Sequence, residues 1–174
     1  MNLAEKIRSI PDFPKKGIVF KDITTLLADG AALREAVRQM TQLFEQDSFD
    51  AVVGIESRGF IFAGIMAHHW GIGMVPVRKP GKLPYRTIRE TYALEYGEDA
   101  LEMHIDALHP GQRVLIVDDL LATGGTVEAA IRLAEGAGAE VVACCFLIEL
   151  DFLNARNRLQ NYRIESLVHV ETES

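Results

Sequence analysis

An α/β fold with an open, mainly parallel sheet flanked by helices is what this sequence predicts, and three observations carry the prediction. Short apolar runs at residues 51–55, 73–77, 113–117, 141–148 and 164–170 read as buried strands. Helical spacing of apolar residues at 58–70 and 126–135 places helices between consecutive strands, the alternation that builds parallel sheets. The chain has 174 residues, one domain's length, with no internal repeat and no linker.

Taken in order, the elements are these. The segment through Leu27 is irregular, with Pro11, Pro14 and Gly17 close together, and is expected to form a small cap beside the core. Residues 31–46 place Leu33, Val37, Met40, Leu43 and Phe44 at helical spacing, an amphipathic helix for one face of the sheet. Strand 51–55, helix 58–70 and strand 73–77 make a first βαβ unit. From residue 80 to 111 the pattern breaks into prolines and charges, with two alternating stretches, 91–95 and 101–105, that read as a hairpin. A long insertion of this kind is often a lid. Strand 113–117, helix 126–135 and strand 141–148 repeat the unit, and 164–170 reads as the last strand.

Composition removes several function classes. The formal net charge of -7 opposes a broad nucleic-acid face, which needs clustered cations to displace counterions. No apolar run reaches the ~18 residues of a membrane span, and the first residues lack a signal-peptide core, so the cytoplasm is the expected location. Cys144 and Cys145 are adjacent in an apolar run, where strand geometry sends them to opposite faces; they read as reduced core thiols. His68, His69, His104, His109 and His169 show no metal-ligand spacing.

The most informative stretch is residues 114–126, VLIVDDLLATGGT. A buried strand runs into Asp118 and Asp119, then a short loop, then Thr123, Gly124, Gly125 and Thr126 at a helix start. In an open α/β sheet, ligands bind beyond the carboxyl ends of the strands. A loop without bulky side chains lets backbone N–H groups converge on a phosphate, and the helix amino terminus adds favourable partial charge. Asp118 and Asp119 are placed to accept hydrogen bonds from sugar hydroxyls, directly or through metal-bound water. Neither a GxxxxGK[ST] loop nor a dinucleotide fingerprint is present.

VLIVDDLLATGGT resembles the phosphoribosyl pyrophosphate motif of type I phosphoribosyltransferases, and its LLATGGT ending is similar to the adenine-specific branch. PDFPKKGIVFKDIT (11–24), GIESRGFIFA (54–63), PVRKPGKLP (76–84) and YALEYG (92–97) resemble that branch's segments in the same order. The resemblance implies one phosphoribosyltransferase domain over residues 1–174. Its hood would be drawn from about 1–30 and 150–174, with a mobile lid loop at about 80–110. It implies transfer of ribose 5-phosphate from phosphoribosyl pyrophosphate to adenine, giving AMP and pyrophosphate with Mg²⁺ held mainly by substrate and water. The alternatives are the same transfer to another purine, or a sensor that keeps the pocket without chemistry.

The resemblance also implies roles. Ala122, Thr123, Gly124, Gly125 and Thr126 would hold the 5-phosphate, and Asp118 with Asp119 the ribose hydroxyls. Ser57, Arg58, Arg78, Lys79 and Lys82 would face the pyrophosphate, with Arg78 drawn from a neighbouring subunit, which implies a homodimer. Glu95 and Tyr96 would belong to the closing loop, Glu95 as general acid/base. Val19 and Leu150 would sandwich the base, while the main chain across Val19, Phe20 and Lys21 would read its edge. Lys21 stands where relatives commonly carry Arg, and residues 151–159 depart from the glycine-bearing stretch usual there.

Overall fold

The computed structural model describes residues 1–94 and 96–173. Five strands form one all-parallel sheet: β3 (Ala51–Ile55), β4 (Gly73–Val77), β7 (Arg113–Leu121), β8 (Glu140–Leu150) and β9 (Arg163–Val170), in the order β4-β3-β7-β8-β9. Every residue of β3 is buried, as an apolar strand covered on both faces must be. Alternate residues separate two cores. Val53, Ile116 and Cys144 pack with Val127 and Ile131 of α4 (Gly125–Gly136) on one face. Val52, Leu115 and Cys145 pack on the other face with Ala36 and Met40 of α2 (Gly30–Gln42) and Phe62 and Met66 of α3 (Gly59–Trp70).

The neighbouring cysteines therefore point in opposite directions and are free. Burial pushes the Cys144 thiol up to about 12 and raises Cys145 as well, so neither forms a thiolate at neutral pH.

Where the elements differ from the sequence expectation, pairing and packing decide. β7 continues past Val117 because Asp118, Leu120 and Leu121 keep their ladder partners Phe146, Ile148 and Glu149. The second helix stops at Gln42, freeing Phe44 to meet Phe49 and Trp70 edge-on. The hairpin strands are β5 (Thr87–Ala93) and β6 (Glu98–His104), antiparallel and starting earlier than alternation indicated. Tyr92, Leu101 and Met103 anchor this hairpin in the α4 core, whereas Leu94 and Tyr96 at its turn stay exposed. The amino-terminal cap pairs β1 (Arg8–Ile10) with β2 (Phe20–Asp22), followed by the short helix α1 (Thr24–Ala28). Between β8 and β9 lie only two 3-10 turns, Asp151–Leu153 and Ala155–Asn157. Among the described residues no helix is long and apolar enough to cross a membrane.

This topology positions a cleft. From β3 the chain leaves through α3 to β4 on one side, and β7 then pairs with β3 on the other. The segments leaving β3 and β7 must diverge, and in open α/β sheets that divergence is where ligands bind.

Candidate active site

The divergence is a cleft of about 360 Å³. Its walls are the turn after β3, with Glu56, Ser57 and Arg58, and the end of β7 through the start of α4. Asp118, Asp119, Ala122, Thr123, Gly124 and Thr126 all line it. Gly124 is left-handed, φ 91°, a conformation that costs other residues a steric penalty and here turns the chain into α4. Gly125 lies just outside the lining, and a Cβ there would stand 3.0 Å from Arg158 Nη1 and 3.5 Å from the Tyr92 ring. Small residues thus leave the cleft side of this turn as backbone at a helix amino terminus, an anion-binding arrangement.

Two carboxylates sit beside the turn in unlike surroundings. Asp119 is 5% exposed, and its Oδ2 stands 2.8 Å from Arg58 Nε as an ion pair without hydrogen-bond geometry. No donor among the described residues hydrogen-bonds that oxygen, so the Arg58 ion pair is what balances it. Asp118 accepts the Asp119 N–H through Oδ1 at 2.8 Å. Burial and the neighbouring Asp119 charge push its carboxyl well above the usual range, with Arg58 opposing them. Gly59, at the start of α3, permits the approach of the two walls: a Cβ there would stand 2.7 Å from Asp118 Oδ1 and 3.0 Å from Asp118 Cα.

The cations at the other end are all paired. Lys79 lines the cleft, donating to Tyr92 Oη at 2.8 Å and to Asp99 Oδ2. Asp99 and Tyr92 face each other across the hairpin, so this contact fastens the hairpin to the cleft. Burial alone would lower the Lys79 pKa, but bonds to Asp99 and Tyr92 hold it above its ordinary value. Arg78 and Lys82 lie one step outside the lining and meet Glu56, with Lys82 Nζ at 2.8 Å and Arg78 Nη2 at 3.6 Å. The main chain of Lys79 donates to the same carboxylate. Sequence reasoning passed over Glu56, and also Phe146, which forms part of the cleft lining. The signal for Glu56 was available: a carboxylate directly after five buried strand residues is seldom left unpaired.

The residues expected around the base are less tightly gathered. Phe20 lies under the Arg58 guanidinium, 5.1 Å from its ring centroid to Cζ, and joins the amino-terminal cap to the cleft wall. Val19 and Leu150 are half-buried outside the cleft lining, and the Lys21 ammonium turns away to Ser9 Oγ at 2.9 Å. Tyr96 is 83% exposed at the hairpin turn, and Glu95 lies outside the described residues. Near the end of β8, Glu149, Asp151 and His169 bring ligand atoms within 4.8 Å of one another, a grouping across strands that linear spacing could not reveal. Both Glu149 oxygens, however, accept from Arg156 at 2.8 Å, which already balances that charge.

Comparison with known proteins identifies the family. Residues 22–167 match the phosphoribosyl transferase domain family. Adenine phosphoribosyltransferase of Clostridium perfringens is 58% identical over 168 residues, covering 97% of this chain and 98% of the relative. The crystal structure of adenine phosphoribosyltransferase from Rhodothermus marinus superposes with a TM-score of 0.92 at 55% identity, covering 96% of each chain. The Saccharomyces cerevisiae enzyme, solved with an imino-altritol bisphosphate and adenine, gives 0.86 at 38% identity, covering 93% of this chain and 94% of that one. In sequence and in fold, this chain belongs to the phosphoribosyltransferase family, within its adenine phosphoribosyltransferase branch.

Proposed function

We propose that the chain transfers the ribose 5-phosphate of phosphoribosyl pyrophosphate to N9 of adenine, giving AMP and pyrophosphate. One observation carries the reading: a turn suited to anions and a turn bearing Ser57 and Arg58 face each other across one cleft, with the Asp118–Asp119 pair on its wall. Ala122 to Thr126 would take the 5-phosphate with backbone N–H groups and two threonine hydroxyls. Asp118 and Asp119 would accept the ribose hydroxyls from the wall of the cleft. Ser57, Arg58 and Lys79 would stabilise the pyrophosphate as its bond to the anomeric carbon breaks, with Arg78 and Lys82 adding positive charge from just outside.

The base would arrive from the side of the amino-terminal cap, between Val19 and Leu150, its edge read by the main chain from Val19 through Phe20 to Lys21. Closure of the turn that bears Tyr96 would exclude water from the cationic sugar. Glu95 would exchange the proton of a purine ring nitrogen.

The donor set fits Mg²⁺ as well: two adjacent carboxylates on the wall of the cleft suit a hard cation that keeps waters and substrate oxygens as its other ligands. When bound, Mg²⁺ neutralises part of the diphosphate charge and so eases its departure. Asp119 and Asp118 would hold it through water. We also infer a homodimer, because Ile61 stays exposed on a helix that is apolar on nearly all sides, a surface a second copy would cover. The cytoplasm is the compartment we infer, since phosphoribosyl pyrophosphate carries too much charge to cross a membrane unaided.

The test is a direct assay with phosphoribosyl pyrophosphate, Mg²⁺ and, in parallel, adenine, hypoxanthine, guanine or xanthine. AMP formed with adenine in clear preference to the other bases is expected. Preference for an oxopurine would reassign the base, and binding without any product would make the protein a sensor.

A further inference from the structure

Glu56 is 6% exposed in its side chain, yet it follows a strand of five buried apolar residues and no expectation from sequence gave it a role. Its two oxygens gather three partners from a single stretch of chain. Oε1 accepts the Lys79 main-chain N–H, and Oε2 accepts from Lys82 Nζ at 2.8 Å and faces Arg78 Nη2 at 3.6 Å. Burial would raise its pKa, but the bond from Lys82 and the Lys79 N–H hold it below the usual range, so it is a carboxylate at neutral pH.

We propose that Glu56 is a positioning residue, which holds Lys82 and the main chain of Lys79 in place at the pyrophosphate end of the substrate, with Arg78 as a further partner of its carboxylate. Like charges do not gather unaided. Without a shared anion, Lys82 and Arg78, 48% and 33% exposed, would spread into water, and a diphosphate would have to order both long side chains itself. Placing the anion inside the wall means that this ordering has already happened when the substrate arrives, which is the general source of affinity from preorganisation. Glu56 also fixes the main chain at Lys79, the one member of the three that lines the cleft. The opposing effect is repulsion between Glu56 and the diphosphate. The paired cations screen it: the carboxylate has one ammonium within hydrogen-bond distance and one guanidinium at 3.6 Å, so Glu56, Lys82 and Arg78 together carry a net positive charge.

The inference rests on the proposed transferase reading, and calorimetry can separate the two. Wild-type protein is titrated with inorganic pyrophosphate in excess Mg²⁺ and, separately, with AMP. Failure of the wild type to bind either would sink the transferase reading itself. Glu56→Gln keeps an acceptor for the Lys79 N–H but removes the charge. Its pyrophosphate affinity is expected to fall about tenfold, with AMP affinity held within about twofold, because AMP does not reach that wall. In a Lys82→Ala background the same substitution should add less than about threefold, since one of the partners it organises has gone. Unchanged or tighter pyrophosphate binding, equal losses for both ligands, or full additivity with Lys82→Ala would each overturn the proposal. Should Glu56→Gln not fold, Glu56→Asp serves instead. It draws the charge back by one methylene, and the same selective loss is expected, with wild-type affinity counting against Glu56.

Discussion

Gly59→Ala isolates the contact that sets the width of the cleft. The added Cβ would stand 2.7 Å from Asp118 Oδ1, 3.0 Å from Asp118 Cα and 3.1 Å from the Val117 carbonyl oxygen. Rotating the Asp118 side chain relieves only the first of these, because the other two are backbone. Either the first turn of α3 or the end of β7 must therefore move by a few tenths of an ångström. Overpacking of this kind costs about 1–3 kcal/mol. For a chain of this length that corresponds to a fall in Tm of roughly 2–12 °C. Asp118 moves with its strand, so phosphoribosyl pyrophosphate affinity should also fall, by about tenfold for a displacement of this size.

Gly136→Ala is the control. Gly136 ends α4 with nothing within 4 Å of an added Cβ, and the change should be neutral or stabilise by up to about 1 kcal/mol. Thermal melting and calorimetry on the two variants check both numbers. A Gly59→Ala protein with wild-type Tm and affinity would mean that α3 and β7 do not approach as described, and the geometry of the acidic pair would have to be redrawn.

Four further outcomes are expected. Asp118→Asn with Asp119→Asn should weaken phosphoribosyl pyrophosphate binding while leaving the far-ultraviolet circular dichroism unchanged; undiminished affinity by calorimetry would contradict their assignment. Asp118→Asn alone should raise Tm at pH 7. An acid whose folded pKa is raised contributes stability below its ordinary value and loses it as pH climbs through the folded one, so the amide removes that penalty and flattens the Tm profile from about pH 4 upward. Glu95→Gln should lower kcat with little change in substrate affinity, and a wild-type rate would remove its acid/base role. Native protein should resist thiol reagents at Cys144 and Cys145 until denatured, given their burial and raised pKa values; rapid labelling of the folded protein would refute that.

The sheet was legible because burial on both faces leaves a direct mark: β3 is a run of apolar residues at 51–55, and the structure bounds both it and the half-buried edge strand β4, at 73–77, where the sequence placed them. The acidic pair and glycine turn were legible for a related reason, since a strand, two carboxylates and a small-residue helix start stand next to each other in the chain. What could not be read was whatever depends on pairing across the fold. β7 runs on through Asp118 because β8 supplies ladder partners, although its charge looks like a strand end. Thr87–Glu90 was missed as strand because Arg89 and Glu90 look solvated, yet Glu90 is held by Arg132 of α4 at 3.2 Å. Glu56 and Asp99, which collect the cations of the cleft, lie 26 and 20 residues from the lysines they hold. Arg78, Lys79 and Lys82 were visible in the sequence without the counter-ions that hold them.

The central claim is that the main chain from Ala122 to Thr126 grips the phosphate of a phosphoribosyl group. Backbone amide resonances of a ¹⁵N-labelled sample, followed while ribose 5-phosphate is added, test it directly. The amides of Thr123 to Thr126 should shift saturably and more than those of any other segment. Saturable binding that leaves these amides unmoved while perturbing another part of the chain would contradict the account.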